Sequence, residues 1–575
     1  MSDLPIRPYE RQPAAFHPWD PATVDVARGV ARLVDSARPG TVTEHVGSSS
    51  VPGLPGKNIV DLGIQAAPDE IPLLAEALLS LGFGRQGGLA PFPPTRPMLV
   101  GEVVHEGASY RIHLHVMPPA RRELDELVAF RDALRSDAAL RDAYTAAKRR
   151  IVDGRDTTDP QELYTVHKAN FVLDALYSLG IRRGPEGGVE PLPPGSTIGV
   201  MGGGQLGRML GLSARAMGYR LVALDPDPGC PTAAVADEII VGRYDDVDAA
   251  RRLAAVSDVV TYELEHVGLE AAAAAAEIAP LRPGLAALRA TQDRLAERRF
   301  IRDIGEWTAP WREVRGIAET ESAAEALGYP CRLKLPIGGY DGRSQVRITD
   351  RAQVAAAVTA LGGEGGTPLL LEAEIDFAAE LSVTSARGLD GRSLAFPLAR
   401  NVHDAGILAE SVAPAPVDPI VAFDAVEIAG SVARALDMVG LITAELFQLH
   451  DPSVGGLMIN ELAPRVHNSG HWTIEGAATS QFEQHLRAIL GLPLGSVAPH
   501  GAAAMVNVLG TGPDRVARLL GLDGALADPG AKVHLYGKRR VFERRKMGHV
   551  TVIGREADEA LERARRARSA LRWED

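Results

Sequence analysis

The run Gly184-Pro185-Glu186-Gly187-Gly188-Val189-Glu190-Pro191-Leu192-Pro193-Pro194-Gly195 constrains this chain more than any other stretch. Glycine weakens regular structure and proline withholds a backbone donor, so neither a helix nor an interior strand can pass through it. The 575 residues are therefore expected to fold as separate units on either side, 1–183 and 196–575, with 184–195 as a linker crossed by few obligatory contacts. That length allows several domains, each with its own core. A net charge of −13 argues against general nucleic-acid binding. Cys230 and Cys331, far apart, offer neither a disulfide framework nor a thiolate metal site. The opening residues are not those of a signal peptide, and no apolar run is long enough to span a bilayer. The expectation is a cytoplasmic enzyme with no nucleic-acid or membrane partner.

Ahead of the linker, Asp20-Pro21 opens a helix in which Val26, Val30, Leu33 and Val34 recur at helical spacing. Strands are expected over 42–46 and 58–65. Between them, Gly47-Ser48-Ser49-Ser50-Val51-Pro52-Gly53-Leu54 forms a small-residue turn whose amides and hydroxyls could hold a phosphate. Asp61 sits within the second strand, and alternation over 110–116 puts His113 and His115 on one face of another. Helices should begin near Leu124, Asp137 and Pro160. The segments HVGSSSVPGLPGKNIVDL, RIHLHVMP, FRDALRSD and YTVHKANFVLDAL resemble the GrpB-like family, which implies a nucleotidyltransferase-like α+β fold. Nucleotidyl transfer calls for paired carboxylates after the Gly-Ser turn, whereas this chain reads Asp61-Leu62-Gly63. His45, Asp61, His113 and His115 are either hydrogen-bonded structural residues or a metal or anion site, with Lys57 as a counter-charge. The lone Asp61 predicts anion binding without nucleotide transfer.

Beyond the linker, the buried-strand run Thr197 to Met201 leads into Gly202-Gly203-Gly204-Gln205-Leu206-Gly207-Arg208. A second strand, Tyr219 to Leu224, ends at Asp225. This is the grammar of a dinucleotide-binding unit and keeps a dehydrogenase in view, although a glycine turn opening a helix binds phosphates of any origin. Val259 to His266 is a further strand ending in acids, Glu263 and Glu265. Later, Leu333-Lys334-Leu335 precedes a glycine-rich loop, Gly338 to Gln345, and a strand from Leu369 runs out through Glu372, Ala373, Glu374 and Ile375 towards Glu380. Near the end, strands Ile442 to Phe447 and Gly456 to Ile459 flank a turn with Asp451-Pro452 and paired glycines. If antiparallel, they bring Glu445, Asn460 and Glu461 within reach of one ion. Hard oxygen ligands without cysteine suit Mg²⁺ better than zinc.

Lysine, glycine loop, hinge acids and late carboxylates resemble the ATP-grasp fold. MGGGQLGRML, TYELEHV, GGYDGRSQ, NVHDAGIL, NELAPRVHNSGHWT and LYGKRRVFERRKMGHV stand in the order found in the N5-carboxyaminoimidazole ribonucleotide synthase family. The resemblance implies a multidomain α/β and α+β protein. Its parts are a GrpB-like nucleotidyltransferase-fold domain (1–183), the linker (184–195), a Rossmann-like pre-ATP-grasp domain (196–290), an ATP-grasp domain (291–492) and a small β-rich C-terminal domain (493–575). It implies ATP and Mg²⁺ as cofactors, aminoimidazole ribonucleotide and bicarbonate as substrates, and a homodimer. Arg294 and Lys334 would contact ATP, and Gly339, Tyr340, Asp341, Gly342, Arg343, Ser344 and Gln345 would close over its phosphates. Glu372, Ala373, Glu374 and Ile375 would meet the adenine through hinge backbone groups, and Glu380 the ribose, with His403 also at the nucleotide. Asn460 and Glu461 would sit at the metal, with Glu445 as second carboxylate. Gln205, Glu263 or Glu265, Tyr340 and Asp341 would line the ribonucleotide, with Lys538 and Arg545 on its 5′-phosphate. Arg465 would steady bicarbonate or carboxyphosphate. Arg465, Lys334 and Asp341 are the expected catalytic groups.

Three departures from the family pattern bear on loop closure rather than reaction class. Leu335-Pro336-Ile337 stands where an arginine is usual, the loop ends Arg343-Ser344-Gln345, and the late hairpin carries extra residues in HDPSVGG. A non-catalytic nucleotide-binding fusion is accordingly the alternative reading.

Overall fold

A computed structural model describes residues 5–10, 16–88, 91–153, 171–172, 175–182, 190–338, 344–451 and 456–574. Before the linker lies a five-stranded sheet in the order Thr43–Val46, Ile59–Gln65, Ala108–Met117, Met98–His105, Gly84–Arg85. The Ala22–Ala37 helix lays Val26, Val30 and Val34 onto Leu62, Ile64 and Leu114 of that sheet, as its 3.6-residue spacing requires. Helices Glu123–Ser136 and Ala138–Asp153 follow. The helix expected from Pro160 falls outside the described residues.

After the linker, Glu238–Val241, Arg220–Asp225, Thr197–Met201 and Val259–Tyr262 form a parallel four-stranded sheet. Burial on both faces accounts for its nearly continuous apolar runs. An antiparallel sheet follows, in the order Trp311–Arg315, Pro368–Ala373, Cys331–Lys334, Gln345–Ile348. The largest sheet runs Leu457–Ala463, Gly440–Leu449, Phe377–Arg387, Ala399–Asp404, Ile407–Ala413, Ala502–Leu509, Lys546–Gly554, Lys532–Leu535. It joins strands on both sides of residue 492. Helix Pro419–Ala435 packs Val421, Ala425, Ile428 and Val432 against Ile442, Ala444 and Leu446 of this sheet.

The expected scarcity of contacts across the linker is corrected. Glu306, with its side chain 1% exposed, accepts from Arg121 and Ser431, and Arg96 Nη2 lies 3.6 Å from its other oxygen. Thr95 Oγ1 donates to the Gly305 carbonyl at 2.8 Å, and Tyr177 donates to the Gly391 carbonyl at 2.6 Å. Gly305 has φ +73°, and a Cβ there would stand 2.7 Å from Pro118, so close docking of the two parts needs glycine at this point. Burial favours the neutral acid, yet Arg96 and Arg121 hold Glu306 down at about 2. The linker itself is pinned at its end, where Leu192 N–H donates to the Leu490 carbonyl at 2.9 Å and Tyr219 donates to that of Leu192. Composition signalled a chain break; it carried no information about the surfaces brought together on either side.

Candidate active site

The Gly440–Leu449 and Leu457–Ala463 strands are antiparallel, and Glu445 lies directly opposite Glu461. The register shifts immediately afterwards, with Leu446 opposite Ile459, so Asn460 is an extra residue in a bulge. Opposed residues on antiparallel strands share a face, so the two carboxylates point the same way. Burial and the Glu461 charge push Glu445 up. Burial would also raise Glu461, but Arg294, Arg465 and Lys334 outweigh it and hold this acid low. Arg294 Nη1 is 3.3 Å from Glu461 Oε2.

Bases crowd the pair. His467 sits with Nε2 3.4 Å from Glu445 Oε1, and its Nδ1 accepts from the Ser469 N–H. Burial, with Arg465 and Lys546 nearby, drives His467 far below its ordinary range, which favours the neutral imidazole. An Nδ1 that accepts from Ser469 N–H leaves Nε2 as the nitrogen to carry its proton. His403 and Glu380 lie on neighbouring strands, with Nδ1 2.7 Å from Glu380 Oε2. Burial lowers His403, but the Glu380 hydrogen bond and the Glu445 charge prevail and raise it. Neither His467 nor Lys546 was picked out from the sequence. His467 stands two residues beyond Arg465 in the same motif, which was the available signal, whereas Lys546 looks like any member of a basic run.

A second layer ties this pair to the antiparallel sheet. Arg298, 1% exposed, bridges Glu297, Glu372 and the Asn460 carbonyl, and Lys334 Nζ contacts the other oxygen of Glu372. The Glu372 carboxylate is thus consumed between Arg298 and Lys334, which hold it at about 2 against burial. Ala373 and Glu374 donate their N–H groups to the carbonyls of Pro310 and Pro330, leaving Ile375 as the hinge amide not engaged in those bonds. Lys334 pairs with Gln345 across the hairpin that carries the glycine loop, and Ser344 accepts from Leu335 N–H. Gly339, Tyr340, Asp341, Gly342 and Arg343 lie outside the described residues.

The glycine turn after Thr197–Met201 is filled by the protein itself. Both oxygens of Glu263, 5% exposed, accept from the amides of Gly204 and Gly207. Asp225 accepts from Gly203 N–H and the Tyr244 hydroxyl. A dinucleotide needs those amides for its pyrophosphate and that acid for its ribose, so the dehydrogenase reading fails. Of the two acids expected beside the ribonucleotide, Glu263 shapes the turn, while Glu265 meets Arg465 Nε at 2.8 Å. Beside the glycine turn, Lys538 Nζ donates to Gln205 Oε1 at 2.7 Å, and Lys538, Arg539, Arg540 and Arg545 line a basic cleft with Asp227. The expected substrate-side residues Gln205, Lys538 and Arg545 therefore converge from opposite ends of the 196–575 part.

Comparison with known proteins accords with this arrangement. Residues 15–177 match GrpB protein, 196–292 the ribonucleotide synthetase pre-ATP-grasp domain, 299–482 the ATP-grasp domain and 503–563 the phosphoribosylaminoimidazole carboxylase C-terminal domain. N5-carboxyaminoimidazole ribonucleotide synthase of Brucella melitensis is 45% identical over 364 residues, 63% of this chain and 97% of that protein. The crystal structure of the corresponding synthetase from Thermus thermophilus is 41% identical, covering 66% of this chain and all of its own, with TM-score 0.59. That of the Aspergillus clavatus enzyme with ADP and 5-aminoimidazole ribonucleotide is 32% identical, covering 66% and 98%, with TM-score 0.58. The chain belongs to the N5-carboxyaminoimidazole ribonucleotide synthase family of ATP-grasp ligases, with a GrpB domain ahead of the synthase part.

Proposed function

We propose that residues 196–575 use ATP to carboxylate the exocyclic amine of 5-aminoimidazole ribonucleotide with bicarbonate, giving N5-carboxyaminoimidazole ribonucleotide, ADP and phosphate in purine biosynthesis. The observation that carries the reading is the pairing of Glu445 with Glu461 across a bulged hairpin, ringed by Arg294, Lys334 and Arg465. Two opposed hard-oxygen donors at that bulge fit Mg²⁺, which takes one or two carboxylates together with substrate phosphates. When bound there, Mg²⁺ would supply charge neutralisation for the γ-phosphate. Asn460 would complete the oxygen set.

Bicarbonate is a poor electrophile and must first be phosphorylated, a step that asks for positioning rather than covalent catalysis. Lys334 and Arg294 would fix the phosphates, and Gly339 to Gln345, with Asp341, would close over them and exclude water. Ile375, following Glu372 to Glu374, would meet the adenine; Glu380, oriented by His403, would take the ribose hydroxyls. Arg465, steadied by Glu265, would hold carboxyphosphate while the amine captures its carboxyl group. Alignment of the reactants contributes roughly 7–11 kcal/mol in well-oriented systems. Gln205 and Tyr340 would line the ribonucleotide, with Lys538 and Arg545 on its 5′-phosphate. We assign the units as 196–290, 291–492 and 493–575 behind the 1–183 module and the 184–195 connection, and expect a cytoplasmic homodimer. Among the described residues no helix is long and apolar enough to cross a membrane. ADP release measured with each substrate omitted in turn tests the reading; ADP release indifferent to the ribonucleotide would instead favour a nucleotide-binding fusion without carboxylase activity.

A further inference from the structure

The N-terminal module carries a cluster that the carboxylation does not use. The Ile59–Gln65 and Ala108–Met117 strands run parallel, with Asp61 opposite His113 and Gly63 opposite His115. Asp61 Oδ1 lies 3.4 Å from His113 Nδ1 and 3.8 Å from His115 Nε2, and the three ligand atoms all fall within 4.8 Å of one another. Donors on a tetrahedral ion with bonds of ~2.0–2.1 Å stand about 3.4 Å apart, so the two separations from Asp61 already approach those of a ligand set. The other ring nitrogen of His113 is 3.2 Å from the Tyr9 hydroxyl, which fixes the ring in the manner of an outer-shell partner. His45 stands apart, with Nε2 3.1 Å from Ser49 Oγ.

Gly63 limits the cluster to one ion. A Cβ at this position would clash with Leu124 Cδ1, so a second carboxylate two residues beyond Asp61 would require Leu124 to move. One carboxylate and two imidazoles suit zinc-like ions rather than Mg²⁺. A separate feature adjoins the cluster. Asp61 Oδ2 faces the backbone of Gly47, whose φ of +71° and whose closeness to that oxygen leave no room for a side chain. On this side lies a cavity lined by Gly47, Ser48, Lys57, Asn58 and Asp61. Lys148, 1% exposed, places Nζ 3.1 Å from Ser48 Oγ while also donating to the Pro55 carbonyl, and so puts positive charge beneath the turn.

We propose that Asp61, His113 and His115 hold one divalent transition-metal ion of the zinc or cobalt type, with an open coordination position facing the Gly47-Ser48 turn, where a phosphate group is held. The test uses full-length protein, stripped of metal and kept in excess Mg²⁺ so that Glu445 and Glu461 do not compete for the probe. Titration with Co²⁺ should give visible ligand-field bands saturating at one equivalent. His113→Ala and Asp61→Asn should each weaken binding by at least the roughly 10–100-fold that loss of an outer-shell partner brings, and His45→Ala should not. Millimolar inorganic phosphate should shift the bands. Absence of bands in the unsubstituted protein, which needs no variant to fold, overturns the metal site, as does Co²⁺ affinity unchanged in both ligand variants. A spectrum indifferent to phosphate overturns the open position towards the turn.

Discussion

Both halves of this chain set a carboxylate on a strand and face it with partners on the neighbouring strand, yet the two arrangements suit different ions. In the synthase part, Glu445 meets Glu461 across antiparallel strands, with cations and imidazoles around them. In the N-terminal module, Asp61 meets His113 across parallel strands, and the position two residues on is Gly63, packed by Leu124. Hard oxygen pairs leave coordination positions for phosphates and water on Mg²⁺, whereas nitrogen donors favour a tightly held transition metal. A strand-borne acid thus says little by itself; what stands opposite it decides the chemistry.

The largest expected effect breaks the comparison on its synthase side. Glu461→Gln removes one of the paired charges and should lower ribonucleotide-dependent ADP release by on the order of 10²–10³-fold or more, with the fold intact by circular dichroism. Near-normal turnover would show that the pair is not the ion site. Next, Arg545→Ala should raise KM for the ribonucleotide by roughly 10–150-fold, the equivalent of ~1.5–3 kcal/mol for a charge-assisted contact, while KM for ATP stays within a few-fold. Equal rises in both would place Arg545 elsewhere.

A third prediction concerns the seam between the halves. Glu306→Gln removes the buried charge shared by Arg96 and Arg121, and breaking such a pair costs up to about 3–5 kcal/mol. Arg121 keeps Glu123 at 2.6 Å, which softens the loss. Chemical denaturation at neutral pH should read that loss. Because Glu306 is depressed to about 2, its contribution is fully present above the ordinary carboxylate range and fades as pH falls towards 2. The gap between the unsubstituted protein and Glu306→Gln should therefore narrow on acidification from pH 5 to 3; a constant gap would deny the ion pair its role. The smallest effect sharpens the separation of the two sites. His113→Ala should leave ribonucleotide-dependent ADP release within about twofold, since the neighbours of its ring, Asp61, Tyr9 and His115, all belong to the N-terminal module.

Much of this was legible from the chain, for identifiable reasons. Alternation and apolar runs carry strand identity locally, so Ile59–Gln65, Thr197–Met201 and the late hairpin follow from a few neighbouring residues. Asn460 and Glu461 follow the apolar run side by side, which is enough to bring them within reach of Glu445; only Glu461 stands opposite it. The bulge that re-aims them depends on cross-strand register and was not visible. The glycine turn illustrates the opposite outcome: its spacing matched a dinucleotide fingerprint, but the anion it receives is Glu263, some sixty residues later. The Arg121–Glu306 contact joins residues 185 apart and follows no period. Pairings of that kind are decided by which surfaces meet, and composition of the intervening segment is silent on them.

The central claim is that the synthase part carboxylates a ribonucleotide at the expense of ATP. Its most direct test is coupled ADP release by full-length protein with Mg²⁺, bicarbonate and 5-aminoimidazole ribonucleotide, alongside detection of the carboxylated product. The account predicts ADP and N5-carboxyaminoimidazole ribonucleotide in equal amounts, with ribonucleotide-dependent turnover lost when bicarbonate is omitted. ADP release at the same rate without the ribonucleotide, or ADP without carboxylated product, would contradict it.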